Sequence, residues 1–473
     1  KIQQDIATVL NHNQTPAQSC QTLLMQRIIE FIFLSLIVLC FFGCTHPEKA
    51  AQQVTAGARV ITIDKNAWAG SSVNVLAGVR QTLYTRGNVQ YAAYYNAQAQ
   101  LVVAKRQSDS TNWQKYITPY SGNVVDAHNH ISLVVDGNGF LHIAWDHHNN
   151  PLNYARSIEP GGLELKRQPM AQTLEQSVTY PQFYQLPSGD LLFQYRDGGS
   201  GRGTLVMNQY NVDTQTWQRL HSALIDGEGQ RSAYWDMAID ARGVVHLAWI
   251  WRENPDVASN HDIAYARSND GGKTWLTDTG NHYQLPITLS NAHVVKHIPQ
   301  NHKLMNPPVV AADEHSNPFI ASYWADTPNA SPRYRVLFMQ NGHWQEISTP
   351  PAPENFTLSG MGTKRPPWSR AALLVETSPD TERKPIHLIY RDDFHSGRVI
   401  ASTIDNWHNP QWRHRFLTSE NVGAWEPSID PQQWNKHKRA HMLLQKVNQQ
   451  DGNDAQAKAS TPSTIQLLEW VPE

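Results

Sequence analysis

The sequence predicts an all-β fold, a seven-bladed β-propeller, and two observations carry this prediction. Strand-turn-strand units recur between residues 87 and 403, at spacings of roughly 50–75 residues. Units of this size are typical of propeller blades, because each must pack on its neighbours to bury its apolar face. The chain also contains 16 Trp and 17 Tyr, which favour strands. Six blades and a β-sandwich array are the alternatives; the period is too long for a β-helix.

Six of these units can be aligned on an aromatic residue that closes their first strand. The units span residues 87–106, 136–157, 187–210, 240–268, 313–340 and 384–403. The aromatic residues are Tyr94, Trp145, Tyr195, Trp249, Tyr323 and Tyr390. A seventh unit is needed to use the remaining chain. We therefore expect residues 441–447 and 463–470 to pair with a strand over residues 58–64 and close the ring.

A turn motif supports the same fold. Residues 268–275 read Ser-Asn-Asp-Gly-Gly-Lys-Thr-Trp, which is an Asp-box turn with one extra residue. This hairpin turn is typical of sialidase-like propeller blades. It is a structural motif, so it carries no prediction about chemistry.

Charge and cysteine content exclude several classes of function. The net charge of -2 and the pI near 6.9 provide no basic field for nucleic acid. All three cysteines lie at positions 20, 40 and 44. Residues 58–473, which we predict to be a single β-propeller catalytic domain, therefore have no disulfide and no cysteine metal site.

The N-terminal segment is predicted to direct export. We interpret residues 1–24 as an upstream remnant and residues 25–44 as a signal peptide, with a basic start, an apolar run and a Gly43-Cys44 ending that resembles a lipobox. Residues 45–57 would form a tether. The expected location is the cell surface or outer membrane as a lipoprotein, or otherwise the periplasm or medium. We expect a monomer that contacts membrane only through this anchor.

The densest group of reactive side chains lies between Asp126 and Ser157. The turn Asp-Gly-Asn-Gly at residues 136–139 separates two apolar runs and predicts a tight hairpin. Such a hairpin places residues 126–129 beside residues 146–149. Imidazoles, carboxylates and amides would then cluster where the sheet ends, which is a common position for a site.

Within this cluster, His128 is the first candidate for proton transfer. The hairpin puts His148 or Asp146 within its reach. His147 and His148 are either site residues or a pair in which one orients the other. Asn129 is a candidate for substrate contact, although His128 and Asn129 could instead satisfy backbone groups at the strand end.

Equivalent positions in other units supply further candidates. Arg196, Arg252 and Arg391 each follow the aligned strand, as His148 does. An Arg fork binds a carboxylate through two parallel hydrogen bonds. Tyr180 precedes a proline, which favours an extended or turn step at a strand end. Tyr234 is a similar candidate; for each of these residues the alternative is core packing or a structural salt bridge.

Metal binding is left open by the sequence. His261, His293, His297 and His302 are spaced loosely enough that no ligand set can be assigned. The chain has no phosphate loop, no nucleotide motif and no Ser-His-Asp signature. A structural divalent cation would be compatible with these histidines, but its identity and ligands are unknown.

These motifs carry a resemblance to a known family. The segments DAHNH, WDHHNNPLNYARS, TYPQF, YRDGGSGRG and NHDIAYARS resemble the BNR-repeat β-propeller polysaccharide lyases that cleave ulvan, of polysaccharide lyase family 24 or the related family 25. The resemblance covers roughly residues 60–440 of the sequence. It implies an anionic algal polysaccharide of sulfated rhamnose and uronic acid as substrate, and β-elimination at the uronic acid as the reaction.

The resemblance also implies roles for individual residues. His128 and Tyr180 would share the proton transfers, and Arg196 would neutralise the uronate carboxylate with help from His148 or Arg252. Tyr234 would be a further substrate contact. This chemistry requires no cofactor. Some relatives hold a structural metal through cysteine, which residues 58–473 cannot supply.

Two other functions compete with a lyase. A sialidase-like glycoside hydrolase would need a carboxylic acid and a Tyr-Glu pair beneath an arginine triad, and it would leave the histidine cluster without a role. A non-catalytic glycan-binding lipoprotein would bind polysaccharide and release no product.

Overall fold

The computed structural model describes residues 57–77, 81–376, 385–407, 410–452 and 461–472. The predicted upstream remnant, the signal peptide with its Gly43-Cys44 ending, and all but the last residue of the tether lie outside these ranges. Within them, no helix is long and apolar enough to cross a membrane.

The described strands form seven antiparallel sheets, which confirms a seven-bladed propeller rather than the six-bladed alternative. The strands are β1 (Ala58–Ala67), β2 (Leu83–Arg86), β3 (Val89–Tyr95), β4 (Gln100–Gln107), β5 (Gln114–Ser121), β6 (Ile131–Val135), β7 (Leu141–Trp145), β8 (His148–Asn150), β9 (Tyr154–Ser157), β10 (Leu165–Arg167), β11 (Val178–Gln185), β12 (Leu191–Gly199), β13 (Arg202–Asn211), β14 (Thr216–Asp226), β15 (Ser232–Ile239), β16 (Val245–Arg252), β17 (Asn260–Ser268), β18 (Val294–Lys296), β19 (Val309–Ala312), β20 (Pro318–Trp324), β21 (Arg333–Gln340), β22 (His343–Ser348), β23 (Ala372–Val375), β24 (Ile386–Asp392), β25 (Arg398–Ile404), β26 (Arg413–Phe416), β27 (Ala440–Gln445) and β28 (Ser463–Trp470).

The blades follow chain order with one exception. Five sheets are built from consecutive strands: β2–β5, β11–β14, β15–β18, β19–β22 and β23–β26. The sheet of β11–β14 also contains β8 as a fifth strand. The sheet of β6, β7, β9 and β10 omits β8, because β8 pairs with β11 of the next blade. The last sheet contains β27, β28 and β1.

The strand that the repeat alignment treats as the first of each unit is the second strand of its blade, and in every unit except the one with Trp145 it continues past the aligned aromatic residue. The six aligned aromatic residues all lie on β3, β7, β12, β16, β20 or β24, and all are buried. Each of these side chains belongs to one of the apolar clusters of the core, to which a large aromatic contributes an extensive buried area.

The ring closes as predicted, with the two ends of the propeller domain in one sheet. Strand β1 pairs with β28 from Ala58 opposite Trp470 to Ala67 opposite Ser463. Strand β28 pairs in turn with β27. Because neighbouring backbones in this sheet come from opposite ends of the domain, opening the ring requires breaking a complete strand pair.

The Asp-box turn forms as the motif indicates. The Asp270 carboxylate accepts hydrogen bonds from the backbone N–H groups of Lys273 and Thr274 at 3.1 and 2.9 Å, and from the Thr274 hydroxyl at 2.7 Å. Trp275 is buried, and its indole N–H donates to the Gly272 carbonyl. The turn is therefore a self-contained structural unit.

Short helices occur between the strands. Among the described residues they are three 3₁₀ helices, Ala127–Asn129, Val257–Ser259 and Asp393–His395, and one α-helix, α1, at Pro431–His437. The buried Asp430 carboxylate caps α1 through the backbone N–H of Gln432 and also accepts from the Thr85 hydroxyl at 2.5 Å. This carboxylate thus connects the last sheet to the first blade.

The first strands of five blades, β2, β11, β15, β19 and β23, line a cavity of about 400 Å³ whose walls include Gln182, Asp236 and Leu373. A second cavity of about 220 Å³ shares Ala77, Pro307 and Arg370 with the first. The second cavity contains most of the predicted site residues.

Candidate active site

Six of the nine predicted site residues line the second cavity. They are His128, His148, Tyr180, Arg196, Tyr234 and Arg252. These residues lie on or beside β6, β8, β11, β12, β15 and β16, so strand ends from three neighbouring blades meet here. None of the described residues that line this cavity is Asp or Glu. The cavity wall therefore combines imidazole, phenol and guanidinium groups without a carboxylate.

The hairpin brings the two histidines together as predicted. The imidazole rings of His128 and His148 stack with centroids 4.1 Å apart. Their shared partner is Asp126, with 2.6 Å from Oδ1 to His128 Nδ1 and 2.5 Å from Oδ2 to His148 Nδ1. The other predicted partner, Asp146, instead accepts a hydrogen bond from the backbone N–H of Asn123 at 2.7 Å.

A strand exchange carries His148 to its position. Asp146 and Asn149 have φ values of 67° and 63°, a left-handed conformation that Asp and Asn tolerate better than most residues. These two turns direct β8 away from its own blade, and His148 pairs with Thr179 on β11. His148 therefore lies opposite the residue that precedes Tyr180 in the neighbouring blade.

Tyr180 sits in a strained bulge of β11. The pairing of β11 with β12 shifts register between Thr179 and Gln182, and Tyr180 has φ 58° immediately before a proline. A residue before proline normally adopts an extended conformation, and a left-handed one in a bulky residue costs about 1–3 kcal/mol. Such strain is concentrated at functional sites. Here it turns the phenol into the cavity.

The surroundings of the Tyr180 ring determine its protonation. The His128 ring centroid lies 6.0 Å from that of Tyr180, and the Arg196 guanidinium carbon lies 4.9 Å from it. Burial and the nearby Tyr234 raise the pKa of Tyr180, although Arg196 and Arg252 act in the opposite direction. The hydroxyl therefore stays protonated at neutral pH and can donate a proton.

Arg196 and Arg252 are buried cations without an acidic partner. Arg196 is 1% exposed and Arg252 is 5% exposed. Within the described part of the chain, neither forms an ion pair with Asp or Glu. Buried charges are normally paired, so two unpaired guanidinium groups at a cavity form a site for an anion.

Neutral groups hold these two arginines in place. Arg252 donates from Nε to Asn260 Oδ1 at 2.7 Å and from Nη2 to Asn306 Oδ1. Arg196 donates from Nε to the Gly198 carbonyl at 3.2 Å. Because the anchors are amide and carbonyl oxygens, the orientation of each guanidinium is set while its positive charge is not cancelled.

Tyr234 lies between the two arginines. Its hydroxyl is 3.0 Å from Ser200 Oγ and accepts from Arg196 Nη1 at 3.4 Å, and its ring is 4.0 Å from the Arg252 guanidinium carbon. Burial acts to raise the pKa of Tyr234, but Arg252 and Arg196 outweigh it and lower that pKa to about 8. Tyr234 is therefore the more acidic of the two cavity tyrosines.

Comparisons with known proteins agree with this architecture. The BNR repeat-containing family matches residues 89–351, more than half of the chain. The chain belongs to this family. A search of curated protein sequences found no match.

Two solved structures share the fold of this BNR-family chain. The polysaccharide lyase Uly1 is 13% identical, with 88% of this chain and 99% of that chain covered and a TM-score of 0.62. A PL25 ulvan lyase is 12% identical, with 86% and 95% covered and a TM-score of 0.61, and it has also been solved with GlcA(1-4)Rha3S bound. At these identities the likeness establishes the propeller fold alone.

Three predicted site residues of the BNR-family chain do not line the cavity. Asn129 is buried in the 3₁₀ turn, where its amide donates to the Asn123 carbonyl at 3.0 Å. His147 is fully buried, and its Nε2 accepts from the backbone N–H of Asn153 at 2.7 Å. Burial lowers the pKa of His147 to about 3, so this imidazole is uncharged at neutral pH. Its hydrogen bond is to the backbone, which is a structural role.

Arg391 is the third residue that lies away from the cavity. It is fully buried, with Nη1 2.5 Å from Asp393 and Nη2 donating to the Pro366 carbonyl at 2.7 Å. An equivalent position in the repeat therefore predicts where the backbone of a residue lies, but it does not predict where its side chain points. Here Asp393, two residues further along the chain, holds the guanidinium.

The cavity also contains cations that the sequence analysis did not select. Lys364 and Arg370 line it and belong to the loop between β22 and β23, where no repeat position points to them. Arg370 pairs with Glu426 at 3.0 Å, and Lys364 pairs with Asp451. The only signal available was the local density of basic residues at 364–370.

One group of the described residues has metal-binding spacing. The ligand atoms of Asp126, His128 and His148 all lie within 4.8 Å of one another. Their 2.5 and 2.6 Å contacts are hydrogen-bond separations, so the three side chains bond to one another directly.

The four histidines that were candidate metal ligands do not form one group: two of them share a carboxylate and the other two have separate partners. His261 and His297 contact Asp262, His293 pairs with Asp278, and His302 bonds to the Ala325 carbonyl.

Proposed function

We propose that the protein is a polysaccharide lyase that cleaves ulvan by β-elimination at the uronic acid and leaves an unsaturated uronate end. The observation that carries the proposal is the pair of buried arginines, Arg196 and Arg252, which lack an acidic partner among the described residues and lie beside His128 and Tyr180. A uronate carboxylate would supply the missing negative charge.

Neutralising that carboxylate makes the reaction feasible. Removing the proton next to a carboxylate generates an enediolate-like intermediate with additional negative charge. Preorganised cations stabilise this charge most strongly in a site that excludes water. Arg196 and Arg252 are buried and already oriented by neutral anchors, so they require little rearrangement when the charge develops.

The two proton transfers can be assigned to His128 and Tyr180. His128 would remove the proton from C5 of the uronate, and those electrons would form the C4–C5 double bond. The C4–O4 bond then breaks, and the protonated hydroxyl of Tyr180 would donate its proton to O4 of the leaving chain. This scheme requires no cofactor.

The composition of the cavity supports a lyase over a hydrolase. Glycoside hydrolysis uses a pair of carboxyl groups on either side of the scissile bond. No Asp or Glu occurs among the described residues that line the cavity. Elimination needs no carboxyl group from the protein, and it gives the histidine cluster a role.

The substrate class is supported by the similar structures. One is named an ulvan lyase and has been solved with GlcA(1-4)Rha3S, a uronate joined to a sulfated deoxy sugar. An alternating polymer of this kind presents one carboxylate in each repeat, which matches a cavity with two arginines directed at one anion.

The decisive experiment is to incubate the purified protein with ulvan and follow the ultraviolet absorbance of the unsaturated uronate. We expect absorbance to rise as the polymer shortens. Shortening without absorbance would indicate hydrolysis, and binding without shortening would indicate a glycan-binding protein; either result would overturn the proposal.

The role of Tyr180 can be tested in the same assay. Tyr180→Phe removes only the hydroxyl and should lower kcat by about 10²-fold or more, with a much smaller change in KM. Tyr116→Phe, on β5 and away from the cavity, is the matched control and should retain activity. Near-normal kcat in Tyr180→Phe would remove the proton-donor role from Tyr180.

A further inference from the structure

We infer that Asp126 is a positioning residue, which sets the tautomer of both His128 and His148 and fixes the orientation of their two rings at the cavity. The inference rests on the proposed function, because it assigns Asp126 a role in preparing the proposed base. It concerns a residue that neither lines the cavity nor was predicted to act in it.

The contacts of the Asp126 carboxylate specify where the protons lie. Its two oxygens lie 2.6 and 2.5 Å from the Nδ1 atoms of the two imidazoles. An ionised carboxylate can only accept hydrogen bonds, so each Nδ1 must carry a proton. In a neutral imidazole the lone pair then resides on Nε2, which is the nitrogen that can accept a substrate proton.

The carboxylate is itself held in place. Oδ1 of Asp126 also accepts from the backbone N–H of His128 at 2.9 Å, which caps the 3₁₀ helix Ala127–Asn129. Burial acts to raise the pKa of Asp126, but the hydrogen bonds from His128 and His148 hold it well below its usual range. Asp126 is therefore ionised at neutral pH.

Sharing one carboxylate explains the stacked arrangement of the rings. The two planes are only 21° apart, which follows when both Nδ1 atoms point at the same group. His128 is 13% exposed and His148 is 38% exposed, so the inner ring lies towards Tyr180 and the outer ring towards solvent. When His128 takes up a proton, the resulting imidazolium already has the Asp126 charge at its Nδ1.

The tautomer can be measured directly in the wild-type protein. Nitrogen-15 NMR of the full-length protein, recorded with a chelator present so that no metal occupies the group, distinguishes protonated Nδ1 from protonated Nε2. We expect both His128 and His148 to carry the proton on Nδ1. A neutral His128 with its proton on Nε2 would overturn the inference, whether or not the protein cleaves ulvan.

Substitution provides the kinetic test. Asp126→Asn keeps one acceptor oxygen but presents an N–H₂ donor to the second Nδ1, so one imidazole must lose its bond or change tautomer. We expect kcat on ulvan to fall about 10³-fold with little change in KM, because Arg196 and Arg252 still bind the carboxylate. A wild-type kcat, or a loss confined to KM, would contradict a positioning role.

Two further variants separate positioning from folding. Asp126→Ser retains a helix-capping oxygen but removes the charge, so it should fold and show the same loss of kcat. Asp136→Asn makes the same chemical change in the buried Asp136–His142 pair and should lower the melting temperature while kcat of the folded protein is retained. Equal effects of Asp126→Asn and Asp136→Asn on stability and on kcat would reduce Asp126 to a structural residue.

Discussion

The two ends of the hairpin formed by β6 and β7 each carry an Asp–His pair, and the two pairs differ in what they can do. At the open end, the Asp126 carboxylate contacts the Nδ1 atoms of His128 and His148, beside a cavity. At the turn, Asp136 contacts Nε2 of His142 at 3.2 Å, and the Tyr154 hydroxyl lies 2.7 Å from Nδ1.

The two groups contain the same residue types, Asp and His, so they differ in their surroundings. His142 is completely buried and both of its ring nitrogens are engaged, so it is a structural crosslink. Blade four repeats the arrangement with Asp240, His246 and Tyr265 at 3.1 and 2.7 Å. The Asp–His–Tyr group therefore recurs as a structural element of the fold. The Asp126 group differs because its two histidines, His128 and His148, line the cavity.

The largest effect is expected when the His128 imidazole at the open end is removed. His128→Ala should reduce kcat on ulvan by about 10⁴-fold, because the proposed base is lost, and should leave the melting temperature nearly unchanged. Kinetics on ulvan and thermal unfolding check the two parts. Residual activity above about a tenth of wild type would move the base to another group.

The next largest effect is expected when the positive charge of Arg196, which lines the same cavity as the histidines, is removed. Arg196→Ala should lower kcat/KM, and the corresponding loss of transition-state stabilisation should be about 3–4 kcal/mol, since a preorganised charge partner is lost. Arg196→Lys should restore only part of this, because an ammonium lacks the planar fork. Full activity in Arg196→Ala would transfer the neutralising role to Arg252.

At the turn end, the expected effect is on stability. His142→Ala leaves the buried Asp136 carboxylate without its imidazole partner and should lower the free energy of unfolding by about 3 kcal/mol. Denaturant unfolding measures this change, and kcat of the folded fraction should match wild type. A loss of kcat with unchanged stability would show that both ends of the hairpin serve catalysis.

The smallest effect concerns pH and Tyr234. The pKa of Tyr234 is lowered to about 8 by Arg252 and Arg196, against burial. Above this pH the phenolate would compete with the substrate carboxylate for both arginines, so kcat/KM should decline severalfold as pH rises through about 8. Tyr234→Phe should remove this alkaline decline; its persistence in the variant would assign it to another group.

Much of the fold could be predicted from the sequence, because blade repeats are local patterns. The aligned aromatics at Tyr94 and Trp249 mark second strands, the Asp box at residues 268–275 marks a turn, and both were correctly located. Ring closure by β1 was predictable because a propeller leaves no strand edge unpaired at its joint. Neither the 3₁₀ helix Ala127–Asn129 nor the helix α1 was predicted from the sequence, because each is too short to show a helical period.

The sequence predicts the blade repeat, the hairpin and the approach of residues 126–129 to residues 146–149, whereas the pairing that carries His148 to the neighbouring blade is seen only in the structure. Which side chains face the cavity likewise depends on contacts between segments that are far apart in the sequence. Arg196 and Arg391 occupy equivalent repeat positions, yet one lines the cavity and the other is held by Asp393. The physical reason is that a repeat sets backbone position, whereas the direction of a side chain depends on partners that lie elsewhere in the fold.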